Sequence, residues 1–105
     1  MRPELVDVRD PGVTAPVLVS LTARPPYPPL ALARRISGTV WLDALVDEKG
    51  KVSEISLVRT SAPGLGFEDA AMRHAYSFVY RPATREGAPV RVRLPITIEF
   101  QVPER

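Results

Sequence analysis

From Val90 to Val102 every even position is apolar: Val90, Val92, Leu94, Ile96, Ile98, Phe100 and Val102. The odd positions between them are Arg91, Arg93, Pro95, Thr97, Glu99 and Gln101. A strand turns successive side chains to opposite faces, so this alternation predicts one long strand with a single buried face. Proline has no N–H to give to a neighbour and is tolerated in sheets at edges, strand starts and bulges. If the Pro95 position faces outward, the odd residues present their backbone groups to an open edge and the even ones pair with the next strand. Such an edge is either blunted by its charges and its proline or used as a rail on which another extended chain docks.

The same periodicity places the other elements. Gly38–Val46 alternates Val40, Leu42, Ala44 and Val46 on one face with Thr39, Trp41, Asp43 and Leu45 on the other. Val52–Thr60 returns as a second strand. The short turn Asp47–Gly50 between them makes the pair an antiparallel hairpin, with Gly50 suited to the left-handed residue that closes such a turn. Leu30–Ile36 is a short helix, entered by Pro29 and ended by Ser37-Gly38. Phe67–Val79 is a second helix with Glu68 and Asp69 in its first turn, and with Phe67, Ala70, Ala71, His74, Ala75 and Phe78 along one stripe. Arg24–Pro29 is rich in proline and reads as a stiff extended corner. Ala83–Pro89 is a loop turning at Glu86-Gly87. Residues 1–22 hold two short alternating runs around Pro11-Gly12, either a strand pair or a lead-in that rests on the domain. The organisation expected is therefore a lead-in over 1–22 and one domain over 23–105. Trp41 is expected to pack beneath Val17–Leu21 rather than to serve at the surface.

Composition removes several classes of function. Among 105 residues there is no cysteine, which excludes disulfides and thiolate metal sites. A net charge of +2, without a dense basic face interleaved with aromatics, argues against nucleic acid. No apolar run approaches a membrane span and no signal peptide is visible, so an anchor or export signal is expected on a longer parent chain. His74, the single histidine, sits on an apolar stripe and reads as a packed side chain, since a metal site normally needs three or more protein ligands. No serine stands in a Gly-x-Ser-x-Gly setting, and Gly64-Leu-Gly66 lacks the third glycine of a dinucleotide loop. The chain has no asparagine, which removes an acylphosphatase-like arginine–asparagine site. No enzyme activity, metal, cofactor or small-molecule substrate is expected.

The order and spacing of several short pieces are more specific than any one of them. They are Tyr27-Pro28 with Ala31 and Ala33-Arg34, Gly38-Thr39-Val40, and Val46-Asp47-Glu48-Lys49-Gly50-Lys51-Val52. Phe67-Glu68-Asp69-Ala70-Ala71, Phe78 through Thr84 and Gly87-Ala88-Pro89-Val90 complete the set. With them the chain, from Arg24 to Val102, resembles the TonB C-terminal domain family. It departs from that family at Phe78, where tryptophan is frequent, and at Val79, where a basic residue is frequent. The resemblance implies an α+β two-layer sandwich: a three-stranded antiparallel sheet with two helices on one face, and a last strand, Val90–Val102, whose outer edge is free. It implies Tyr27, Pro28, Gly38, Gly50 and Pro82 as family motif positions, and Arg91, Arg93, Pro95, Thr97, Glu99 and Gln101 as the partner-binding edge. The implied function is force transfer in the periplasm. A parent chain anchored in the inner membrane and energised by an ExbB/ExbD-type motor would grip the TonB box of an outer-membrane transporter by strand addition. The alternative is a structural module of the envelope that forms a homodimer through the same edge.

Overall fold

In the computed structural model, which describes residues 4–20 and 25–102, the alternating segments become strands and the stripes become helices. The order is β1 (Leu5–Val6), β2 (Val13–Thr14), β3 (Val17–Ser20), α1 (Pro29–Ala33), β4 (Gly38–Val46) and β5 (Val52–Thr60). Next come α2 (Phe67–Tyr76), β6 (Val79–Arg81), β7 (Thr84–Arg85), β8 (Ala88–Pro89) and β9 (Arg91–Phe100). The main sheet runs β1-β9-β4-β5. It is thus four-stranded, not three-stranded, because Leu5–Val6 pairs in parallel with Arg91–Val92 on the outside of the last strand. A three-stranded ribbon β2-β7-β8 and a two-stranded one, β3-β6, flank it.

The hairpin has the bounds that periodicity assigns it. Asp47 Oδ1 accepts from the N–H groups of Lys49 and Lys51, Gly50 N–H donates to Asp47 O, and Gly50 takes a φ of 84°. The Glu86-Gly87 turn also forms, with φ of 51° and 80°, but β7 and β8 on either side pair as a small hairpin instead of a plain loop. The helices are shorter than expected. Helix α1 stops at Ala33 because Arg35, at φ 55°, closes it: Arg35 N–H bonds Leu32 O and Ile36 N–H bonds Ala31 O. This is a left-handed helix stop made by arginine, ahead of the glycine expected to do it. Helix α2 stops at Tyr76, since Val79-Tyr80-Arg81 is strand-forming sequence and finds β3 as an antiparallel partner. The last strand is trimmed at both ends, to Arg91–Phe100.

The three strands of the lead-in do not pair with one another; each adds to a strand of the later chain. Because Val17–Ser20 lies on β6, it does not cover Trp41. Trp41 instead stays half-exposed on the helix-free face, with the Arg59 guanidinium 4.1 Å from its ring centre. Leu21 and Arg24, also included in those expectations, lie outside the described residues.

The core lies on the other face. Val40, Leu42, Ala44 and Val46 of β4 and Val92, Ile96, Ile98 and Phe100 of β9 are buried against Phe67, Ala71 and Ala75 of α2. Tyr27, Phe67 and Phe100 form an aromatic cluster with centroids 4.9–5.9 Å apart, and Tyr27 Oη donates to Ile36 O at 2.6 Å. The two edge-on pairs, Tyr27 with Phe67 and with Phe100, add about 0.5–1.5 kcal/mol each beyond the area they bury.

His74 is buried on this stripe, edge-on to Phe78 at 5.0 Å. Burial lowers its pKa below 6.5. A histidine whose folded pKa is depressed stabilises the fold above its unfolded pKa, and that contribution is lost as pH falls through the folded value. The melting temperature is therefore expected to decline as pH drops below about 6.5, and His74→Gln should flatten that limb. Identical slopes for both proteins would contradict this assignment.

Candidate functional site

Among the described residues, the outer side of β9 past Val92 is one of two edges of the main sheet with no strand beyond it, β5 being the other. The inner side of β9 pairs with β4 without interruption from Gly38↔Phe100 to Val46↔Val92. Two observations fix which backbone groups face outward. Arg91 N–H donates to Glu4 O at 2.9 Å, on the side away from β4. On the far side of β4, Thr39 exchanges bonds with Ser61: Ser61 N–H donates to Thr39 O, and Thr39 N–H to Ser61 Oγ. Odd residues of β4 therefore face β5, even ones face β9, and the even residues of β9 answer them. With no break in register, the N–H groups of Arg93, Thr97 and Glu99 point outward, and Pro95 falls where its missing donor costs the inner ladder nothing.

Beyond Val92 no described strand pairs with this side of β9. The open stretch Arg93–Phe100 has a length of roughly 25 Å at the usual rise per residue. Arg93, Pro95, Thr97 and Glu99 are exposed along it. Gln101 is exposed too, one residue past the end of the strand. Arg91 is half-buried and already bonded, so of the six expected edge residues it lies on the part that β1 covers. Arg93 turns inward, 3.1 Å from the Asp43 carboxylate and 4.0 Å from that of Glu54, across the helix-free face. Its charge is thereby taken away from the edge it was expected to guard.

The opposite edge of the sheet differs. Strand β5 carries an extra residue at Ser53 and again at Val58, as the register against β4 shifts at both places. Near its start, Lys51 forms a bridge with Val79. Bulges twist a strand and break the regular row of donors and acceptors, a common way of protecting an edge. The β9 edge has no such break.

Each end of the open stretch meets a concavity. At the Arg93 end lies a groove of about 670 Å³, between Leu5–Arg9 on one side and Asp43, Arg93 and Pro95 on the other. The Arg9 guanidinium and backbone N–H, bonded to the Asp7 carboxylate there, hold its pKa at about 2. At the other end is a hollow of about 410 Å³ lined by Ser37, Gly38, Thr39, Ser61 and residues Glu99 to Val102. Among the described residues no three His, Cys, Asp or Glu side chains gather as a metal site would require. No helix among them is long and apolar enough to cross a membrane.

Of the motif positions only Gly38 borders the edge, at the hollow, and all of them pack or bond within the fold. Gly38 sits under Phe67, whose ring carbons would stand 2.7 Å from an added Cβ. Gly50 faces Tyr80 O, which would stand 1.8 Å from one, and Gly50 O accepts from Tyr80 N–H at 2.8 Å. Pro82 packs beside the same turn, Pro28 is buried at the entry to α1, and Tyr27 ties that entry to Ile36. Periodicity missed the site residues Leu5 and Val6. It placed Val6 in a short run with Val8, did not single out Leu5, and had no means of assigning either a partner some 86 residues away.

The profile described as Gram-negative bacterial TonB protein C-terminal matches residues 23–102. Protein TonB of Vibrio cholerae is 30% identical over 90 residues, covering 86% of this chain; the chain spans only 36% of that relative's length. The solution NMR structure of the Pseudomonas aeruginosa TonB CTD shares the fold with a TM-score of 0.66, over 95% of this chain and 96% of that one, at 19% identity. On the match across residues 23–102, this chain belongs to the TonB C-terminal family.

Proposed function

We propose that this domain is the C-terminal module of a TonB-type energy transducer. It grips an extended segment, the TonB box, of an outer-membrane transporter by adding it as a strand along Arg93–Phe100. The parent chain would be anchored in the inner membrane and driven there by an ExbB/ExbD-type motor, with this domain in the periplasm. The observation that carries the reading is the unbroken outer edge of β9, set against the bulged and bridged edge of β5. Backbone bonds along such an edge confer affinity with little demand on sequence. That suits one domain serving several transporters.

The test uses a peptide of about ten residues from the TonB box of a transporter of the same organism, a length that would span the open edge. Thr97→Pro removes one outward donor and leaves the ladder to β4 in place. A lost backbone bond costs a net ~0.5–1.5 kcal/mol, so affinity by calorimetry should fall between about two-fold and tenfold. Ser56→Ala, an exposed position on β5 at the other side of the sheet, should bind normally, and melting curves must show Thr97→Pro folded. NMR shifts confined to α1 and α2, with Arg91–Phe100 unmoved, would refute edge capture. The same edge would also accept a second copy of the chain. Light scattering that shows a tight dimer joined through β9 would favour that reading instead.

A further inference from the structure

The open edge of β9 is shorter than the strand, because the chain lays its own Leu5–Val6 on Arg91–Val92. This occupant is small and differs from the rest of the sheet. It has two residues, it runs parallel to β9, and the chain leaves the edge immediately after it in a turn held by Asp10 N–H on Asp7 O. Leu5 is 51% exposed, whereas Val6 sits over Val92 and is buried in the core cluster. A single side chain fastens the segment at both ends: Arg85 of β7 pairs with Glu4 and, at 3.5 Å, with Asp10. These are surface ion pairs, individually weak and screened by salt.

We propose that Leu5–Val6 is an exchangeable occupant of the capture edge. The full rail then runs from Arg91 to Phe100, and an extended peptide long enough to reach its start displaces the chain's own strand. The inference rests on the edge-capture reading above and adds a requirement on the partner. The displaced Val6 leaves an apolar site over Val92, so the peptide must bring an aliphatic side chain to that position. A polar or charged residue there would leave apolar surface open or bury an unpaired group. A peptide too short to reach Arg91 would bind alongside Leu5–Val6, ending at the groove beside Pro95, and would not disturb it.

The chain has no cysteine, so a reversible lock can be built without interference. Leu5 and Arg91 are directly paired, at the separation adjacent strands share, which falls within disulfide reach. The double variant Leu5→Cys/Arg91→Cys pins β1 when oxidised and frees it when reduced. The probes are the TonB box peptide of about ten residues and the same segment cut to about six, too short to span the whole strand. The long peptide should bind the reduced protein several-fold more tightly than the oxidised one, while the short peptide binds both alike. On binding the long peptide, the Val6 amide of the unmodified protein, which faces β9, should lose its hydrogen-exchange protection. Melting curves of both redox forms confirm the fold. Equal affinity of the long peptide for both forms, with the Val6 amide still protected, would overturn the exchange and leave edge capture standing. Failure of either peptide to bind the unmodified protein would overturn both.

Discussion

Ile96→Asp should leave the chain unfolded at 25 °C, whereas Thr97→Asp, one residue on, should melt within a few degrees of the unmodified protein. Ile96 is 6% exposed, opposite Leu42 on the core face of the sheet. Deleting such a side chain costs about 2–5 kcal/mol in lost burial and cavity. A carboxylate left there without a partner, or protonated to avoid the charge, costs several kcal/mol more. The total stability expected of a domain of this size is about 5–15 kcal/mol, so the substitution removes most or all of it. Thr97 faces the helix-free side and is exposed. Circular dichroism melts of the two variants, run together, check the claim. A one-residue slip of register would exchange every side chain between faces and reverse their order.

The second large effect is expected at Gly50. At φ 84° any side chain is strained, and here the space is also taken, since an added Cβ would stand 1.8 Å from Tyr80 O. Backbone cannot step aside as a flexible side chain can. Gly50→Ala must therefore break the Tyr80 N–H to Gly50 O bond or open the hairpin turn, and either loosens β6 from the end of β5. The left-handed strain alone is about 1–2 kcal/mol, and loss of the packed contact brings the expected total to about 3 kcal/mol or more. That lowers the melting temperature by more than about 10 °C for a domain of this size. Gly87→Ala is the control: its φ of 80° is as strained, but nothing lies within 4 Å of the added Cβ. Equal losses at the two positions would show that strain, not the Tyr80 contact, decides the effect.

Alternation along β4 and β9 is legible in the sequence because each keeps one largely wet face and one dry face, whereas β5, exposed along most of its length and bulged at Ser53 and Val58, carries a weaker period. Pro95 carries the inference further, to which edge lies open, because a missing donor is tolerated on one side of a strand only. The lead-in cannot be placed in the same way. Leu5–Val6, Val13–Thr14 and Val17–Ser20 are too short for a period, and each pairs with a strand far along the chain. Local pattern contains nothing of such pairing. Arg35 and Val79 show a second limit. The left-handed helix stop expected of glycine is made by arginine. Helix α2 looks continuous through Val79 because the stripe extends to Phe78, yet β3 takes Val79-Tyr80-Arg81 as its strand partner. At the edge, the residues and their alternation can be read directly. That Arg93 turns to Asp43 and Glu54, and that the chain covers Arg91 itself, depends on contacts between distant segments.

The parallel direction of β1 also sets how a pull would be carried. While β1 is seated, the chain joins the sheet beside Arg91, so in the proposed role tension arriving through Glu4 would enter at that end of β9. A captured strand drawn away past Phe100 would place the line of force along the strands, and all rungs between would resist together in shear. A strand drawn away past Asp7 would instead be peeled from the edge one rung at a time. The same bonds would then hold at high load in one orientation and yield at low load in the other, which makes the orientation of the captured segment, more than its affinity, the determinant of mechanical strength.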